Sequence, residues 1–213
     1  MSPTVPDPAS RLLIVPGLHD SPSDHWQTWL QGLFPGALRV TQRDWAQPDV
    51  DRWAGRVGST LERGGPGPWL AVAHSFGVLA LLRHLQQVPQ SPVAAVLLVA
   101  PADPDRFGLG ELLSHERLAL PGTVLLSNND PWLSLAAGLR WSACWGTPCV
   151  NLGRAGHINA QAGFHTLPYA RQWVLAHQQR LLRESRGAAA KAEGTDWRPA
   201  PAVRATAPAA FPA

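Results

Sequence analysis

The chain has 213 residues, 18 Lys and Arg against 15 Asp and Glu, and a formal charge of +3 at pH 7. That length builds one domain, large enough to bury most of the surface exposed by the unfolded chain without disulfide staples. The small basic excess is spread over dispersed arginines, which supports weak non-specific binding of nucleic acid at most, and no apolar run reaches the length of a membrane span.

In chain order, residues 1–10 lack the basic start and apolar core of a secretory signal and are expected to be a flexible N-terminus. Arg11-Leu12-Leu13-Ile14-Val15 has the pattern of a buried strand that ends at Pro16-Gly17. In the loop that follows, Ser23 or Asp24 would cap a helix through Trp29 to Phe34, with Trp26, Trp29, Leu30 and Leu33 at helical spacing. Core packing is the expected role of that aromatic stripe. His19 and His25, with no H-E-x-x-H pattern or clustered cysteines beside them, are expected to be exposed or structural rather than metal ligands.

Turn-rich Gly64-Gly65-Pro66-Gly67-Pro68 precedes a second apolar strand, Trp69 to Ala73, and Val78 to Leu85 then forms a largely apolar helix halted before Pro89. Between strand and helix stands Ala73-His74-Ser75-Phe76-Gly77. A strand that turns sharply through a serine into a helix is a nucleophile elbow. Its backbone is strained, and small residues are required two before and two after the serine. Ala73 and Gly77 meet that demand, although Ala73 replaces the first glycine of G-x-S-x-G. The turn would present the Ser75 hydroxyl and bring the Phe76 amide to a helix N-terminus, where it can donate to a developing oxyanion. The chemistry this predicts is covalent acyl transfer. His74 is expected to point away across the turn and to pack or hydrogen-bond structurally.

Two more apolar, β-branched runs, Val93 to Val99 and Thr123 to Ser127, and a late one at Cys149 to Leu152 complete the strands. Strands that alternate with helices imply a mainly parallel sheet covered on both faces, with functional groups at the carboxyl ends of the strands. Past those ends lie Asp103 in Pro101-Ala102-Asp103-Pro104, Asp130 in Asn128-Asn129-Asp130-Pro131, and His157 in Gly156-His157-Ile158-Asn159. The chain order Ser75, Asp130, His157 is one of the known orders of a serine catalytic triad. Asp130-Pro131 also suits a plain turn or helix cap, and Asp103 is a rival acid. In the first loop, the Leu18 amide would be a second oxyanion donor beside Phe76.

A helix from about Leu167 to Arg183, with Trp173, Val174 and Leu181 inward, should close a domain spanning residues 11–185. Residues 186–213, rich in Ala, Pro and Gly, cannot bury a core and are expected to form a disordered tail, on which Trp197 is an isolated aromatic. Cys144 and Cys149, five apart around Gly146-Thr147-Pro148, lack a CxxC pattern and suit free thiols of a reducing cytoplasm.

Taken together, Val15-Pro16-Gly17, Ser21, His25-Trp26-Gln27, Asp44-Trp45 with Pro48-Asp49 and Trp53, the His74-Ser75-Phe76-Gly77 elbow, Ser127-Asn128-Asn129-Asp130-Pro131 and Gly156-His157-Ile158-Asn159 resemble the retinoblastoma-binding-protein-nine or YdeN-like serine hydrolases. The resemblance spans residues 11–183. It implies a compact, single-domain α/β-hydrolase without a large lid, with Ser75 as nucleophile, Asp130 as orienting acid and His157 as base. It also implies esterase-like cleavage of small acyl esters. That mechanism calls for no metal or organic cofactor, and the thiols, the apolar runs and the dispersed charge separately lead to the expectation of a cytoplasmic protein with no membrane and no specific nucleic acid partner. Two alternatives stay open: transfer of the acyl group to an acceptor other than water, or an interaction protein whose hydrolase site is secondary. For the latter the chain offers no short acidic or helical docking motif.

Overall fold

The computed structural model describes residues 10–114 and 117–194. The expected N-terminal segment up to residue 9, and Trp197 of the expected tail, lie outside the described residues. Among the described residues, six strands, β1 (Arg11–Val15), β2 (Leu38–Arg39), β3 (Trp69–Ser75), β4 (Val93–Pro101), β5 (Gly122–Leu126) and β6 (Cys149–Asn151), form one sheet in the order β2-β1-β3-β4-β5-β6. Every pairing is parallel.

A parallel sheet buried on both faces needs apolar residues at consecutive strand positions, and these strands supply them. Leu13, Val15, Ala71, Ala73, Val96, Leu98, Val124 and Leu126 pack to one side, against α2 (Val50–Gly64), α3 (Phe76–Gln87) and α5 (Leu135–Cys144). Their neighbours Leu12, Ile14, Leu70, Val72, Leu97, Val99 and Leu125 pack to the other, against α1 (Trp26–Leu33) and α6 (Pro168–Gly194). The result is a three-layer α/β-hydrolase architecture. Between β4 and β5 stand only a 3-10 turn (Pro104–Phe107) and the short α4 (Gly110–Ser114), not a lid domain, among the described residues.

Several local details depart from expectation. The cap of α1 is His25, whose Nδ1 accepts from the Gln27 amide at 3.1 Å; Ser23 and Asp24 stand exposed in the preceding turn. The helix therefore starts at Trp26. Trp26 and Leu30 are fully buried as the stripe requires, whereas Leu33 is exposed at the helix end. Helix α6 continues past Arg183 through 186–194, residues expected in the tail, because the run from Ala188 to Glu193 consists of the strong helix formers Ala, Lys and Glu, which outweigh Gly187. Residues 183–189 of that extension are exposed and add nothing to the core. Strand β2 and helix α2 were not anticipated as elements. Asp49 starts α2 by accepting from the Arg52 amide at 3.0 Å, and Val50, Trp53, Ala54, Val57 and Leu61 bury its inner face. Cys144 and Cys149 are free thiols.

The chain runs from β1 outward to β2, then returns to lay β3 on the other side of β1. This reversal opens a crevice beyond the carboxyl ends of β1 and β3, the usual place for a ligand in an open α/β sheet.

Candidate active site

At that crevice the β1–α1 loop is pressed onto the β3–α3 turn. A Cβ added to Gly17 would stand 2.7 Å from the Ser75 Cβ, and one added to Gly77 would overlap the Pro16 carbonyl. Both glycines are therefore required by close backbone approach. Ser75 itself takes φ 55° and ψ −127°, a conformation that costs a non-glycine residue of order 1–3 kcal/mol and is held only by packing on all sides. Phe76 supplies much of that packing. Its ring is buried edge-on against Trp53 at 5.1 Å and beside Phe107 at 5.0 Å, and Trp45 in turn packs on Trp53 at 5.7 Å. Thus Asp49, Trp45 and Trp53, remote in sequence, brace the elbow.

The elbow turns the Ser75 hydroxyl toward His157, with Oγ and Nε2 2.9 Å apart. On the other side of the ring Nδ1 lies 3.0 and 2.9 Å from the two carboxylate oxygens of Asp130. A carboxylate only accepts, so Nδ1 carries the proton, and Nε2 of the neutral ring accepts from the serine O–H. Side-chain exposure is 9% for His157 and 3% for Asp130, so the hydrogen-bonded edge between them is shielded from water. Asp130 Oδ1 also accepts from the Trp132 amide at 2.9 Å, which fixes the carboxylate within its turn. The turn and the histidine contact coexist in one residue. Asp103 is instead occupied elsewhere: it caps the 3-10 turn through the Asp105 amide and accepts from the Trp141 indole.

The loop holding Asp130 and the loop holding His157 are stitched together by Ser127 and Asn129. Ser127 Oγ accepts from the Ala155 amide at 3.0 Å, and Asn129 Oδ1 accepts from the Gly156 amide at 2.9 Å. Gln27 does the same for β1 and β3: its Nε2 donates to the carbonyls of Val15 and Val72 at 3.2 Å, and its Oε1 accepts from Ser21 Oγ at 2.6 Å. Ser127 and Gln27 are buried and Asn129 is exposed, and all three satisfy backbone groups that the ends of the strands leave unpaired.

Three imidazoles share this pocket. His74 is buried with its ring 4.9 Å from that of His157 and 5.1 Å from that of His25, so it lies beside the site rather than pointing away across the turn. Its Nε2–H donates to the His157 carbonyl at 2.9 Å. Burial holds the pKa of His74 well below the ordinary imidazole value, with further lowering by His157 and His25. His25 is lowered to about 4, first by burial and then by the nearby Arg39. Both rings are neutral at pH 7. His19 is exposed. Among the described residues, no three His, Cys, Asp or Glu side chains are grouped as metal ligands, and no helix is long and apolar enough to cross a membrane.

A cavity of about 650 Å³ opens over Ser75, with Leu18, Ala102, Phe107 and Trp132 among its apolar walls and Arg106, Asn159 and Gln161 among its polar ones. The profile of the serine hydrolase family matches residues 12–197. The chain belongs to that family. A protein described as a YdeN-like hydrolase from Pectobacterium atrosepticum is 37% identical, with 81% of this chain and 92% of that one aligned at a TM-score of 0.76. The ydeN gene product of B. subtilis is 18% identical over 80% of this chain and 99% of its own, with a TM-score of 0.66. An esterase from Rhodococcus is 17% identical over 81% and 91%, with a TM-score of 0.58. At those last two identities the likeness shows the fold alone. Among curated proteins nothing matches. The similarity thus runs to YdeN-like hydrolases, and the retinoblastoma-binding name gains no support from it.

As a member of this family the chain brings Ser75, Asp130 and His157 into one hydrogen-bonded line, sets Leu18 on the cavity wall, and starts α3 with Phe76 directly after the serine. Trp132 and Arg106, absent from the sequence reading, also reach the cavity; Trp132 is 54% exposed, and Arg106 donates to the Pro131 carbonyl. An aromatic residue directly after the Asn-Asn-Asp-Pro turn was the available signal for the first.

Proposed function

We propose that this family member cleaves small acyl esters by covalent catalysis. Ser75 is the nucleophile, His157 the general base and then acid, and Asp130 the group that orients and charge-stabilises the imidazole. The observation that carries this reading is the 2.9 Å approach of Ser75 Oγ to His157 Nε2 from a serine held at positive φ. A serine hydroxyl is a weak nucleophile until a base within hydrogen-bond reach takes its proton, and the strained turn keeps Oγ there.

His157 Nε2 takes the Ser75 proton as Oγ bonds to the ester carbonyl carbon. The carbonyl electron pair moves to oxygen, where the amides of Leu18 and Phe76 receive the negative charge, each donor of this type being worth about 3–4 kcal/mol. Collapse expels the alcohol, which takes the proton from Nε2. Water then repeats the sequence on the acyl-enzyme and releases the acid. The open, mostly apolar cavity over Ser75 suits a short acyl chain.

The test is hydrolysis of p-nitrophenyl esters of graded acyl length by the wild type and by Ser75→Ala. Turnover of the short esters should fall by about 10³-fold or more in the variant, as when other serine triads lose their nucleophile. Equal turnover in both proteins would refute the reading.

A further inference from the structure

The loop that carries His157 is itself strained: Gly156 and Ile158, on either side of the histidine, have φ of 54° and 46°. A loop in that conformation needs outside restraints if the imidazole is to stay on the line from Ser75 to Asp130. Two consecutive carbonyls of the loop receive them. His74 Nε2–H donates to the His157 carbonyl at 2.9 Å, and Trp26 Nε1–H donates to the Ile158 carbonyl at 2.7 Å. The donors come from different layers, β3 and α1, and both residues are buried. Their rings meet edge to face at 5.9 Å, so each fixes the other.

We propose that His74 and Trp26 are positioning residues that clamp the backbone of the base, a role that rests on His157 acting as proposed above. His74 suits that place because its Nε2 must carry the proton: a carbonyl accepts and never donates. A neutral His74 also adds no charge beside His157 when that ring becomes a cation during turnover. The charged or titratable groups set against His74 are His157 and His25. Trp26 then has two functions, filling the core under α1 and pinning the loop through its indole nitrogen.

The experiment compares His74→Leu, His74→Gln and Trp26→Phe on a short p-nitrophenyl ester. It reads kcat and KM separately, the melting temperature, and the low-field NMR resonance of the His157 Nδ1 proton. Glutamine places an amide N–H where the imidazole Nε2 was. Displacement of a catalytic group by an ångström can cost about 100-fold, so His74→Leu should lower kcat by about 10- to 100-fold with KM changed less than about threefold. His74→Gln should recover most of that loss. Trp26→Phe should lower kcat by about 5- to 20-fold and shift or broaden the Nδ1 proton resonance. Wild-type kcat and an unmoved resonance in Trp26→Phe, or a His74→Gln as impaired as His74→Leu, would overturn the clamp. If His74→Leu fails to fold, Trp26→Phe decides, together with His74→Gln, whose kcat should stay within about tenfold of wild type and whose loss of more than about 100-fold would overturn the clamp. Failure of the underlying reading is distinct, because Ser75→Ala would then keep wild-type turnover.

Discussion

The interior of the sheet and its carboxyl edge are built by opposite rules. In the interior, Leu12 through Val15, Leu70 through Ala73 and Ala95 through Val99 are apolar, fully or nearly fully buried and in ordinary extended backbone. At the edge stand His25, Gln27, His74, Ser127 and His157, all buried and polar, and there too, among the described residues, fall the non-glycine residues with positive φ: His19, Asp20, Ser75, Ala100 and Ile158. Strain and buried polarity both cost stability, and the apolar interior is what permits them. Side chains that bring no chemistry of their own, such as Gln27 and Asn129, are therefore placed to satisfy the backbone around those that do.

This contrast predicts that the two regions fail differently. The largest effect should come from Asp130→Asn, which leaves packing nearly intact but disturbs the tautomer of His157. Turnover should drop by about 10³- to 10⁴-fold with little change in melting temperature, as in other triads. Asp103→Asn should be mild, and the reverse ranking by steady-state kinetics would move the acid to the β4 end. Leu70→Ala, deep in the interior, should do the opposite. It removes a fully buried side chain and should cost about 2–5 kcal/mol in urea unfolding while kcat/KM of the folded protein stays near wild type. A Leu70→Ala protein with normal stability and lost turnover would break the contrast.

A third effect follows from the neutral histidines of the edge. In the unfolded chain His25 binds a proton below about pH 6.5, whereas in the folded protein it resists until about pH 4. Between these values the unfolded state holds more protons, so stability falls as pH is lowered. At pH 5 the loss from His25 alone is about 2 kcal/mol relative to neutral pH, and His74 adds to it in the same direction. Chemical unfolding at pH 7 and pH 5 measures this, and equal stabilities would contradict the burial of two neutral imidazoles. The smallest effect should come from deleting residues 195–213. Their Ala-Pro-rich composition offers little apolar surface, so the turnover of a p-nitrophenyl ester and the melting temperature should change little. A drop of many degrees would mean that Trp197 or Phe211 docks on the domain.

What the sequence disclosed follows the same divide. The five longer strands were legible as apolar runs between turn signals, and the elbow was legible from its context, a strand, a turn with small neighbours around the serine and a helix in the required order. Strand β2, two residues long, carries no such pattern. The cap at His25 was hidden because an imidazole nitrogen took the place expected of Ser23 or Asp24. Trp26 was legible as core, but its hydrogen bond to Ile158, 132 residues away, is a tertiary fact that no local spacing encodes. His74 was expected to turn away from the site, yet the strained backbone at Ser75 brings the ring beside His157.

The central claim is that Ser75 is an activated nucleophile, and labelling with a fluorophosphonate followed by peptide mass spectrometry tests it most directly, since the probe reports an activated serine whatever the natural substrate. The wild type should carry the phosphonyl group on the peptide containing Ser75, and Ser75→Ala should remain unlabelled while keeping its fold. Labelling at another serine, or none on the folded wild type, would contradict the account.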